Sequence, residues 1–187
     1  RALALQARGR GFDSLIFHHM KGINFPIRQQ MNKHDCSVCV IWCILRHAEI
    51  DINYLDLYRF ISPPTKPDEG ISGDQIVEIL KKFGIKTISE RSNISKLRFY
   101  TTDWPVIVSI QHKKKRNVEW KRITEFGHYV IVLEVNDKKV RFMDPNYGKI
   151  RSLSIKDFKD RWHDGDEKEL CKYPSIICMV NGSKSLL

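Results

Sequence analysis

The chain has no run of about 18 apolar residues, so no membrane-spanning helix is expected. Its start carries no apolar core of a secretory signal. No internal repeat and no low-complexity segment occurs, which excludes repeat and fibrous architectures. Glycine and proline are few, 10 and 7 in 187 residues. Cysteine is scarce as well: five residues, at positions 36, 39, 43, 171 and 178. The number is odd, and three share one helical stretch whose spacing does not favour mutual pairing. That excludes a disulfide framework and points to a reduced, intracellular chain, cytoplasmic unless delivered elsewhere as an effector. No aromatic-rich recognition strand accompanies the basic residues, which argues against nucleic acid as the partner.

What is present is an ordinary globular composition, 42% hydrophobic and 29% charged. At this length the chain forms one domain, or a two-lobed one, and buries roughly 70% of its unfolded surface. The formal charge of +10 is spread along the chain. It is densest at Lys113, Lys114, Lys115 and Arg116. That run reads as a solvated hairpin tip, with an anionic partner as the functional alternative.

Residues 1–19 carry little that fits a core, and QARGRGFDS resembles the product of a mistranslated tRNA gene. They are expected to be an arm outside the fold, non-native or disordered, with Met20 as the natural start; an ordinary N-terminal arm is the alternative. The domain proper then spans residues 20–187, with residues 21–27 an edge strand or extended lead-in.

Apolar spacing predicts helices over residues 36–49, 51–61 and 73–83, the last capped by Ser72 and Gly84, and a short helix near 92–98. The prolines of SPPTKPDEG, residues 62–70, predict a loop. Strands are expected at 85–89, 104–111, 127–135, 139–144, 149–153 and 175–180, and a further one near 118–123. Ser154 caps a helix to about Trp162, and HDGDEKE reads as a polar loop. Helices come first and an antiparallel sheet follows. The fold class is α+β, an N-terminal helical lobe packed on a C-terminal antiparallel sheet.

The chain is organised around residues 30–47, QMNKHDCSVCVIWCILRH. A turn-prone run leads into Cys36, and an apolar helix begins there. A thiol at a helix start meets unpaired N–H groups and the positive end of the dipole. Both favour the thiolate, which is the nucleophilic form. Such a cysteine needs a base, an orienter for the base and a donor for the oxyanion. His128 opens the first long strand, and Asp144 ends its hairpin partner, so the two can be neighbours. Gln30 lies six residues before Cys36, where its amide can face the space in front of the sulfur.

Gln30, the pair Asp35 and Cys36, the strand Gly127-His128-Tyr129-Val130, and Asp144-Pro145 with Gly148 resemble the bacteriocin-processing peptidases. These papain-like domains remove double-glycine leaders in bacterial peptide-exporting ABC transporters, and they have free-standing relatives. The residue order and the six-residue step from Gln to Cys both match. GISGDQIVEILKKFGI and SLSIKDFKDRW are similar to the family's second helical region and to its segment after the aspartate, so the likeness covers about residues 27–162. It implies a papain-like cysteine peptidase with Cys36 as nucleophile, His128 as base and acid, Asp144 as orienter and Gln30 as oxyanion donor. It implies no cofactor or metal, and a peptide or protein substrate. No transporter segment follows, so a role in export is not expected. One position departs from the pattern. The family usually carries Gly after the cysteine, and here it is Ser37, which either narrows the oxyanion hole or caps the helix.

Other readings attach to the same residues. The triad is equally suited to deamidation, transglutamination or amide hydrolysis, and Ser37 with the basic run fits an inactive peptide-binding module. Asn146 is an alternative orienter. Cys39 and Cys43, with His34 and His47 nearby, could ligate a metal, but they sit among Val, Ile, Trp and Leu and read as core. His112 and His163 show no partner.

Overall fold

The computed structural model describes residues 25–61, 70–113, 116–123, 127–165 and 170–180. The residue 1–19 arm, the loop at 62–69 and Lys114 and Lys115 of the basic run lie outside these. Three helices come first: α1, Cys36–His47; α2, Tyr54–Ile61; and α3, Gly73–Lys82. Strand β1, Lys86–Arg91, and helix α4, Ile94–Tyr100, follow. Then come β2, Val106–Gln111; β3, Gly127–Val135; β4, Lys139–Asp144; and β5, Lys149–Ser154. The last part holds α5, Ile155–Arg161; β6, His163–Gly165; β7, Leu170–Lys172; and β8, Pro174–Met179.

Local chemistry sets these boundaries. The Ser72 hydroxyl accepts from the Gln75 N–H while the Gln75 side chain accepts from the Ser72 N–H, a reciprocal cap that starts α3. Asn93 and Ser154 cap α4 and α5 in the same sense. Gly84, at φ 80°, turns the chain out of α3 into β1.

Six strands form one antiparallel sheet in the order β1-β8-β2-β3-β4-β5, and β6 pairs with β7 apart from it. The sheet is covered on both faces. On one, Ile107, Ile131, Met143 and Ile176 pack with Ile41 and Leu45 of α1, Leu57 of α2 and Leu80 of α3. On the other, Val106, Val108, Val132 and Phe142 pack with Leu97 of α4 and Phe158 of α5. Burial on both faces explains why β2 and β3 read as unbroken apolar runs rather than alternating ones.

Helices α1, α2 and α3 form the expected N-terminal helical layer on one face of the antiparallel sheet, and α4 and α5 cover the far face. Two expectations need correction. Residues 118–123 do not form a strand: β2 and β3 are already paired on both edges, and Trp120–Arg122 makes a single 3-10 turn. The polar run after Trp162 is not all loop, since β6 and β7 form a small ribbon there. Among the described residues no helix is long and apolar enough to cross a membrane.

Candidate active site

Cys36 is the first residue of α1, about nine-tenths buried, and opens on a cleft. The loop before it is held by its own polar groups. The Asp35 carboxylate accepts from the Asn32 backbone N–H at 2.8 Å and from Asn32 Nδ2 at 3.0 Å. Gln30 Nε2 donates to the Asn32 carbonyl at 2.8 Å, and Gln30 Oε1 is buried without a partner among the described residues. One amide hydrogen of Gln30 is thus spent on the loop, and one remains.

The loop is braced from outside as well. Cys39 Sγ donates to the Arg28 carbonyl at 3.1 Å, and the Arg28 guanidinium stacks 3.7 Å over the Tyr54 ring. The Gln30 backbone N–H donates to the Pro145 carbonyl at 2.9 Å. Beneath it sits Gly148, at φ 57°. A Cβ there would meet Gln29 Cβ at 2.7 Å, so only glycine lets the 145–148 turn support this loop.

His128 and Asp144 meet because β3 and β4 are antiparallel with Ile131 opposite Met143, which brings the start of β3 to the end of β4. His128 Nε2 lies 2.8 Å from Asp144 Oδ1, and both side chains are buried. That leaves Nδ1 as the second ring nitrogen, and Cys36 lies near enough to His128 to favour its charged form. Burial works against charge on the imidazole. The bond to Asp144 and the nearby Cys36 outweigh it and raise the His128 pKa to about 9. Asp144 moves the opposite way. Burial resists its ionisation, but the bonds from His128, Arg151 and the Asn146 N–H hold it below the ordinary carboxylate value.

Arg151 has no counterpart in the sequence reading. Its Nη1 donates to Asp144 Oδ2 at 3.0 Å, and its guanidinium stacks 4.2 Å from the centre of the Tyr147 ring. The signal was present in the hairpin. With Asp144 opposite Lys149, residue 151 stands diagonally across the ladder, within reach of a long side chain.

Asn146 touches Asp144 only through its backbone N–H, at 3.0 Å. Ser37 does not cap α1: its hydroxyl is buried and has no partner among the described residues, and the N-cap Asp35 makes no side-chain cap bond. Cys39 and Cys43 are fully buried in the core under α1, and burial raises the Cys178 thiol. His163 and His112 do have partners. His163 Nε2 lies 2.7 Å from the Ile123 carbonyl, and His112 packs against the His128 ring, centroids 5.1 Å apart.

The chain matches the Peptidase C39 family over residues 24–165. It is 25% identical over 138 residues to the sublancin-168-processing and transport ATP-binding protein SunT of Bacillus subtilis, covering 72% of this chain and 17% of that protein. The chain thus spans about a sixth of that relative's length. Among solved structures it is similar to the peptidase domain of Streptococcus ComA, a bi-functional ABC transporter, with a TM-score of 0.62 at 21% identity over 83% of this chain and 98% of that domain. A double glycine motif protease from an AMS/PCAT transporter, solved with its leader peptide, aligns with a TM-score of 0.61 at 14% identity, over 83% and 91% of the two chains. At these identities the likeness is one of fold, and it is the papain-like fold that the sequence resemblance implied.

Proposed function

This chain belongs to the Peptidase C39 family of cysteine peptidases, and from that premise we propose that it cleaves peptide bonds through Cys36, His128 and Asp144. The observation that carries the proposal is the 2.8 Å contact from His128 Nε2 to Asp144 Oδ1, with Cys36 near enough to the same ring to favour its charged form. An imidazole held between a carboxylate and a sulfur is what acyl transfer at a thiol requires.

In the proposed reaction the Cys36 sulfur attacks the scissile carbonyl, and the C–S bond forms as the carbonyl π pair moves onto oxygen. The Cys36 backbone N–H, unpaired at the helix start, and the free hydrogen of the Gln30 amide stabilise that oxyanion. Protonated His128 gives its Nδ1 proton to the leaving amine as the C–N bond breaks. Water, deprotonated by His128, then hydrolyses the thioester and restores the thiol. Asp144 holds the ring and stabilises its cationic form throughout.

The AMS/PCAT relative is a double glycine motif protease crystallised with a leader peptide. By analogy a peptide with a Gly-Gly step is the first substrate to test. Wild type is expected to cleave a fluorescence-quenched Gly-Gly peptide, or members of a proteome-derived peptide library, and Cys36→Ala to cleave none. Cleavage by Cys36→Ala at the wild-type rate would overturn the proposal. A chain that takes up a thiol-reactive probe but only releases ammonia from glutamine peptides would be a deamidase.

A further inference from the structure

Beside Cys36 lies a cleft of about 640 Å³ on the α1 side of the sheet, lined by neither His128 nor Asp144. Its floor is the β2–β3 ladder at Ile107, Ser109 and Tyr129, with Ile176 of β8, and Asp164 of β6 closes one corner. The opposite wall is the turn that enters α3. The lining is only partly apolar, and three of its hydroxyls are anomalous. Ser37 is 1% exposed and Ser109 and Ser175 are each 2% exposed, and none of the three hydroxyls has a hydrogen-bond partner among the described residues.

A buried hydroxyl without a partner is destabilising, because it has given up its bonds to water and gained none in return. Three of them line one cleft next to the nucleophile: Ser37 from the helix that carries Cys36, and Ser109 and Ser175 from the paired strands β2 and β8. Ser109 faces the glycine at the start of β3. A Cβ on Gly127 would stand 3.6 Å from Ser109 Oγ and 3.2 Å from Asp164 Oδ1, so glycine keeps that corner open. Isoleucine side chains beside the hydroxyls leave room for a short stem, and a serine hydroxyl can rotate toward whatever enters.

We propose that this cleft is a specificity subsite for a short substrate side chain carrying a hydroxyl or carboxamide, recognised by Ser37 and Ser109. The assignment rests on the peptidase reading for the cleft's place beside the scissile bond. The selectivity follows from asymmetry. A polar side chain satisfies both serines, whereas an aliphatic one seals them in the interior unpaired, and sites of this kind reject the analogue that lacks the hydrogen-bonding group.

The test uses fluorescently labelled peptides of seven residues around a central Gly-Gly. Each flanking position is set in turn to Ser, Asn, Ala or Leu. Binding to Cys36→Ala protein is read by fluorescence polarisation, and cleavage by wild type is read in parallel. At one position Ser or Asn is expected to outperform Leu by about tenfold in both readouts. The preference should shrink to within about twofold in Ser109→Ala and in Ser37→Ala, both checked for an unchanged melting profile. Leu equal to or better than Ser and Asn at every position would overturn the proposal. So would a polar preference that survives both substitutions, or a failure of every peptide to bind. A polar preference in binding without any cleavage by wild type would sustain the subsite and refute the peptidase reading, so the two claims fail separately.

Discussion

Replacing Asp144 by Asn is expected to lower kcat/KM by about 10²-fold or more, about 3 kcal/mol of transition-state stabilisation. The carboxylate accepts from three donors: Oδ1 serves His128 and the Asn146 N–H, and Oδ2 serves Arg151. An amide of the same shape cannot do this. With its oxygen toward His128, its NH₂ opposes the Arg151 donor. With its oxygen toward Arg151, its NH₂ faces His128 Nε2 and imposes the wrong tautomer, leaving no neutral Nδ1 acceptor for the thiol proton. The charge is lost in either case. His128 stands at about 9 against an ordinary 6.5. That rise corresponds to about 3 kcal/mol favouring the imidazolium, with the Asp144 bond foremost among the groups that oppose burial.

Activity that needs the imidazolium falls as pH rises through the His128 pKa. In Asp144→Asn that alkaline limb should therefore move down from about 9 as well as lose amplitude. The assay is kcat/KM on a quenched peptide from pH 5 to 10, with melting curves to show that the variant is folded. Asn146→Ala, which removes a side chain not bonded to Asp144, should cost less than about fivefold. A larger loss in Asn146→Ala than in Asp144→Asn, or an unmoved alkaline limb, would refute the assignment of Asp144 as orienter.

The same pair links folding to pH. A raised His128 pKa contributes stability that is fully present below the ordinary 6.5 and lost as pH rises through about 9; a lowered Asp144 pKa contributes stability present above 3.8 and lost on acidification. The Tm advantage of wild type over Asp144→Asn should thus be greatest between these windows and shrink toward pH 9, and a flat difference would contradict the linkage. Iodoacetamide at pH 6 should modify Cys36, which opens on the cleft beside an imidazolium, well before the fully buried Cys39, Cys43 and Cys178; equal labelling, read by peptide mass, would argue against it as nucleophile. Arg151→Met frees one Asp144 oxygen and removes a positive charge near His128. It should cost about tenfold in kcat/KM and move the alkaline limb up, with Arg151→Lys partly restoring both. Gly148→Ala puts a Cβ 2.7 Å from Gln29 at a left-handed φ. It should lower Tm by about 4 °C or more and reduce kcat more than KM, because the loop it displaces carries Gln30; wild-type kcat would show that the turn does not support the loop.

How far the site was legible depended on how its residues are coupled. Cys36 could be picked out as a candidate because a polar turn and an apolar helical run meet at that residue, a purely local pattern. His128 and Asp144 could be paired because a single hairpin joins them, so counting along two strands sufficed. Arg151 lies one more hairpin away and was missed, although the same count extended by one strand puts it diagonal to Asp144. Gly148 was noticed in the sequence, but its reason is a contact with Gln29, more than 100 positions earlier. No local pattern carries that contact. β8 shows the same limit at the scale of the fold. It was foreseen as a final strand, but its place between β1 and β2 was not, since both of its pairings are remote in sequence. That insertion encloses β2 on both edges and denies residues 118–123 a strand partner. It also sets Ile176 beside Ile107, and so shapes the cleft floor next to Ser109. On the proposed reading, substrate selection at this cleft depends on a strand that enters the sheet last in the chain, while the chemistry depends on residues grouped by a helix start and two adjacent hairpins. Substitutions in β8 should accordingly alter which peptide is held with less effect on how the bond is broken.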